Sequence, residues 1–150
     1  MAGRYYDEWQ VGDRVEHEVT RTVTETDNIL ICALTHNPQP LHLDREIAGQ
    51  SEFGQPLVNS VFTFGLMVGV SVADTTLGTL VANLGYDKLV FPKPVFAGDT
   101  LRSETECIGL RDSKSRPNAG IVTWAHRSFN QKDELVCQCE RSALLLKRPQ

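Results

Sequence analysis

The sequence has no basic stripe, no metal-type cysteine spacing, no low-complexity segment and no internal repeat. Its 15 lysines and arginines are outnumbered by 19 acidic residues, giving a net charge of −4 over 150 residues. That balance argues against a nucleic-acid partner. The four cysteines (Cys32, Cys107, Cys137 and Cys139) form neither a metal set nor a disulfide framework, and they read as buried reduced thiols. Cys137 and Cys139 fall on one face of a strand. No linker divides the chain, and its length suffices for a single domain over 1–150 with its own core. The opening MAGRYYDEWQ is neither an apolar signal core nor an Arg- and Ser-rich transit peptide, so the expected location is cytoplasmic.

What the chain does have is one long apolar run, PLVNSVFTFGLMVGVSVA, from Pro56 to Ala73. It leaves no continuous polar face, and a helix that is apolar nearly all round is expected to be buried. The run is too short for an ordinary membrane span. Val and Phe also suit strands, but the length and the lack of turn residues favour a helix, with Pro56 in its first turn. Gly65 and Gly69 predict close packing against other backbone. Asn59 and Ser60 then sit where free N–H groups and the positive end of the helix dipole meet, a place suited to a partly negative oxygen.

Around this run the pattern changes from helical to extended. Residues 4–13 read as an irregular lead-in ending at Gly12-Asp13, and Arg14 to Val23 as a strand. Thr24 or Thr26 caps a helix to about Thr35, stopped by Pro38 and Pro40. A polar loop from Thr35 to Asp44 and a short helix over Asp44–Gly49 lead to the central run. Four strands follow: Leu80–Phe91 (interrupted near Gly85), Thr100–Leu110, Ile121–Asn130 and Leu135–Lys147. Turn residues Ala97-Gly98-Asp99 and Asn130-Gln131-Lys132-Asp133 predict antiparallel hairpins between successive strands. The fold class is therefore α+β, an antiparallel β-sheet curled round a long central apolar helix.

Three stretches together resemble the MaoC-like (R)-specific enoyl-CoA hydratase/dehydratase family. They are Pro40-Leu41-His42-Leu43-Asp44, then Phe53-Gly54-Gln55-Pro56-Leu57-Val58, then Phe91-Pro92-Lys93-Pro94-Val95-Phe96-Ala97-Gly98-Asp99-Thr100-Leu101. The resemblance covers residues 30 to 148. It implies a hotdog fold, a homodimer or higher homo-oligomer whose sheets join edge to edge, and an acyl-CoA substrate. It also implies reversible addition of water across the α,β double bond, usually to the (R)-3-hydroxyacyl product, with no cofactor because coenzyme A is part of the substrate. Overall similarity to branched-chain and mesaconyl- or itaconyl-type members implies a short, branched or dicarboxylic acyl group. An acyl-CoA thioesterase and a catalytically degenerate acyl-CoA-binding protein are the alternatives on the same fold.

The family's motif runs Asp-x-Asn-Pro-x-His. Matched at Pro40 and His42, its Asp position falls on Asn37 and its Asn position on Gln39, and Asn59-Ser60 stands where the family usually has His-Gly. An amide orients groups by hydrogen bonding but takes up no proton at neutral pH. His42 is therefore the candidate for proton transfer, since an ordinary imidazole titrates near neutrality. The N–H of Ser60 or Val61 suits the thioester oxygen, with Asn59 beside them. Asn37 and Gln39 position water or substrate, and His36 and Asp44 are reserve proton carriers, Asp44 being also a candidate helix cap. Lys93 and Arg116 (with Arg111 and Lys114 as lesser candidates) suit the coenzyme A phosphates. No metal site is expected.

Overall fold

The structure is a computed structural model and describes residues 3–150. Strands β1 (Arg14–Glu16), β2 (Arg21–Thr22), β3 (Leu80–Val90), β4 (Thr100–Asp112), β5 (Ala119–Phe129) and β6 (Leu135–Leu146) form one antiparallel sheet, ordered β1-β4-β5-β6-β3 with β2 also beside β4. Helix α4 (Ser60–Thr75) lies against its inner face. Before α4 come α1 (Glu25–Leu34) and two short helices, α2 (Pro40–Leu43) and α3 (Arg45–Gly49). This is the expected α+β arrangement. The strands alternate as a half-covered sheet does: in β5, Val122, Trp124, His126 and Ser128 point inward and are buried. One end of the core packs Trp9 edge-on against Trp124, with ring centroids 5.5 Å apart, beside Val122 and Leu145. The other end joins Val23, Val58, Val95, Leu101 and Val136 to Phe62 and Leu66 of α4.

Several boundaries differ from expectation. The predicted strand from Arg14 to Val23 is broken, because His17 turns its buried ring inward to Asp74 and Thr105, at 2.7 Å each. Thr24 rather than Thr26 caps α1, in a reciprocal capping box with Asp27. That helix ends at Leu34, before either proline, and His36 adopts a left-handed backbone with φ 54°. Pro40 does not stop a helix but opens α2, where its missing N–H costs nothing. Likewise α4 starts at its cap Asn59, not at Pro56, and Leu57 instead bridges to Phe96. The Ala97-Gly98-Asp99 turn is no hairpin: β3 pairs with β6, and β4 lies two strands away. Gly98, at φ 99°, and Asp99 instead bind Val23 through backbone hydrogen bonds at 2.8 Å.

The central helix is half-covered within one chain. Thr63, Met67, Ser71 and Thr75 are buried at intervals of four, while Val61 is 54% exposed. A side chain at Gly65 or Gly69 would meet nothing within 4 Å, so the close backbone packing predicted for them is not made inside the chain.

Candidate active site

The amino end of α4 is where the predicted residues meet. His42, on α2, directs its ring Nδ1 to the Leu57 carbonyl at 2.7 Å. A carbonyl oxygen can only accept, so Nδ1 carries a proton, and the tautomer this selects has its lone pair on Nε2. Leu57 N–H returns a bond to Leu41 at 3.1 Å, so α2 and the approach to α4 are tied together on both sides of the ring. Val58 N–H bonds Val95, which brings residues 93–96 alongside.

At the helix start the two candidate donors separate. Asn59 caps α4 with its side-chain oxygen on Val61 N–H at 2.9 Å, so Val61 N–H is already used. Phe62 and Thr63 N–H both turn to the Asn59 carbonyl. Among the described residues nothing accepts from Ser60 N–H. Of the two candidate donors, Ser60 N–H is the one left without an acceptor among the described residues. Asn59 is 3% exposed, and its side-chain oxygen is engaged as the cap of α4.

Two cavities flank this end. The first, about 240 Å³, is walled by Phe53, Leu57, Val58, Ser60, Thr63, Phe91, Val136 and the Pro92–Val95 segment, which includes Lys93. The second, about 390 Å³, is bordered by Ile29, Cys32, Ala33, His36, Asn37, Pro38 and Leu43. His42 lines neither. It stands between them, gripping Leu57 of the first and preceding Leu43 of the second. Asn37 commits its Oδ1 to Gln39 N–H at 3.0 Å, which shapes the turn into α2 and leaves its NH₂ for a ligand. Gln39 is exposed at the cap of α2. Asp44 Oδ1 accepts from Glu46 and Ile47 N–H at 2.9 and 3.0 Å, so the residue is the cap of α3.

Arg116 is not part of this cluster. It sits in the β4–β5 connection, where Asn118 bonds Lys147 and the neighbouring Leu146 bonds Thr79, beyond the far end of α4. From Leu101, beside the first turns of α4, to Asp112 the strand runs roughly 30 Å. Arg111 and Lys114 share that distant position.

One residue absent from the sequence reading is central. Asn28 of α1, 3% exposed, gives its NH₂ to the carbonyls of His42 and Leu57 at 3.0 and 3.1 Å and accepts Asn59 N–H at 2.8 Å. Its partners lie 14, 29 and 31 positions away, and no local pattern announces such a contact.

The four cysteines are free and buried. Burial pushes the Cys137 and Cys139 thiols up to about 12 and 11, so neither supplies a thiolate at neutral pH.

Comparison with known proteins places the chain in a family. Residues 8–128 match the MaoC like domain family. The chain is 35% identical over 147 residues to a mesaconyl-CoA hydratase of Cereibacter sphaeroides and 30% identical over 146 residues to a beta-methylmalyl-CoA dehydratase of Chloroflexus aurantiacus. These matches take in 98% and 97% of this chain but 42% and 41% of theirs, so the chain spans about two-fifths of the length of these relatives. A solved MaoC-like dehydratase from Rhodospirillum rubrum superimposes with a TM-score of 0.85 at 29% identity, over 99% of this chain and all of the other. The fold is the hotdog fold, and the chain belongs to the MaoC-like domain family.

Proposed function

We propose that this protein hydrates 2-enoyl-coenzyme A thioesters reversibly, with a short branched or dicarboxylic acyl group of the mesaconyl type as its substrate class. The observation that carries the reading is the His42–Leu57 hydrogen bond, which leaves Nε2 unbonded and ties the ring to the chain three residues before Ser60, whose N–H has no acceptor among the described residues. Water attacks the β carbon and its proton passes to Nε2. The electron pair moves through the α carbon to the thioester oxygen, which Ser60 N–H and the helix dipole steady; one such donor is worth about 3 kcal/mol in a transition state. The imidazolium then returns a proton to the α carbon, and no atom is left over. Because the amide of Asn37 cannot take a proton, His42 carries the whole transfer and Asn37 orients water. Lys93, on the wall of the first cavity and free of ion pairs among the described residues, suits a phosphate of coenzyme A.

The same reading includes a second copy of the chain. Strand β3 ends the sheet with one open edge and exposes Leu84, Tyr86, Leu89 and Val90. An apolar open edge of this length invites pairing. Joining two sheets there would also give the uncovered Gly65–Gly69 face of α4 something to pack against. A thioesterase fits less well, since the one carboxylate on α4, Asp74, lies in its last turn and is bound to His17.

The test is an assay with crotonyl-, mesaconyl- and itaconyl-type coenzyme A esters that follows the conjugated double bond and free thiol together. Loss of the double bond without thiol is the expected result. Thiol release would make the protein a thioesterase, and binding without either change a non-catalytic acyl-CoA carrier.

A further inference from the structure

We infer that Asn28 is a positioning residue for both halves of this site and that it works through the polarity of its amide; the inference rests on the hydratase reading above. The amide is held one way round by its surroundings. Two carbonyl oxygens face its NH₂, those of His42 and Leu57, and one N–H, that of Asn59, faces its oxygen. Turned over, it would set oxygen against two oxygens and N–H against N–H. The residue presenting it is rigid, one turn into a helix fixed by the Thr24–Asp27 capping box.

This single group therefore reaches the main chain of the base, the carbonyl that fixes the base's ring, and the cap that aims the oxyanion donor. Leu57 O receives both His42 Nδ1–H and Asn28 Nδ2, which fills its two lone pairs. The His42 ring is thereby bound to a carbonyl that is itself held in place, which gives Nε2 one direction. Holding Asn59 N–H fixes the backbone immediately before Ser60, so the direction of the Ser60 N–H is set by the same amide. Catalytic geometry is unforgiving of this kind of support being lost: a displacement of about 1 Å can cost about 100-fold in rate.

Asn28→Ala is expected to lower kcat about 100-fold with little change in KM. In a His42→Ala background the same change should cost less than about threefold, because the two act as a unit. Full additivity of the two losses would overturn the inference. Asn28→Asp supplies a second variant should the alanine form fail to fold. It keeps an oxygen for Asn59 N–H, but its other oxygen can donate to a carbonyl only while protonated. Its activity should fall as pH rises, with a basic limb that the parent lacks, and a parental profile would overturn the proposal. Nitrogen-15 NMR of His42 reads the same point without turnover: a single Nδ1–H tautomer in the parent and a mixture in Asn28→Ala are expected. If no enoyl thioester is turned over, the hydratase reading fails, and an unchanged His42 spectrum in the variant separately rejects the role of Asn28.

Discussion

At the amino end of α4, the half-buried His42 spends one ring nitrogen on the Leu57 carbonyl, and the other has no partner among the described residues. At the carboxyl end, His17 and His126 share the Thr105 hydroxyl, and His126 Nε2 is buried without a partner among the described residues. His17 Nδ1–H donates to Asp74 at 2.7 Å, and Thr105 Oγ bridges His17 Nε2 and His126 Nδ1 at 2.7 and 2.8 Å. Base, orienting carboxylate and hydroxyl are all present there, yet Thr105 and His126 are each 1% exposed. Burial holds His126 down at about 3, helped by the positive charge of Arg141 and by His17. The same kind of side chain is thus half-buried with a free nitrogen at one end and locked into a buried network at the other. Each of His42 and His126 has one unpartnered nitrogen; what separates them is burial, since His126 is sealed in the core and His42 is half-buried.

The most direct way to break this contrast is to remove each end in turn. His42→Ala should lower kcat/KM about 1,000-fold, within the usual range for losing a general base, while leaving thermal stability nearly unchanged. Unchanged turnover would remove His42 from the chemistry. Thr105→Val preserves shape but strips both buried rings of their shared partner. It should destabilise the fold by about 2–4 kcal/mol in urea melts, with kcat/KM of the folded fraction within twofold of the parent. A large activity loss at constant stability would mean the far network communicates with the site.

A pH titration of stability sharpens the comparison further. Below pH 6.5 the unfolded chain protonates the His126 imidazole, whereas the folded chain resists until about 3. The unfolded state therefore binds more protons in that window, and stability falls as pH falls. From pH 7 to 5 the His126 contribution is about 2 kcal/mol. His126→Gln, which cannot titrate, should show a shallower loss over the same interval by chemical denaturation. An equal slope in both proteins would place the titrating group elsewhere.

The sheet and the central helix were legible because their signals are local and repeated. Alternation in Ile121–Phe129 and sixteen mostly apolar residues from Ser60 need no partner to be recognised. What was misread depends on contacts distant in sequence. Pro40 looks like a stop and is a start, because only the fold shows α2 docked on Leu57. The Gly98 turn looks like a hairpin, but its N–H goes to Val23, 75 positions earlier, and its strands part. The spacing to Pro40 marked His42 through family resemblance, while its tautomer and the Asn28 amide behind it required coordinates. The place of Asn59 at the helix start is legible in the sequence, while the use of its side-chain oxygen as the cap is visible only in the fold.

The smallest expected effect concerns the two cations proposed from sequence for the same polyanion. Lys93 is on the wall of the cavity that Ser60 lines, whereas Arg116 lies past the opposite end of α4. If one chain's cavity receives the thioester, Lys93→Ala should raise KM about fivefold, equivalent to about 1 kcal/mol for an exposed charge contact. Arg116→Ala should leave KM unchanged. Added salt should narrow the gap between parent and Lys93→Ala, because screening weakens the contact that the variant lacks. The reverse pattern, with Arg116 controlling KM, would require the nucleotide end of the substrate to reach the far edge of the sheet, and would relocate the binding path without touching the base that His42 provides.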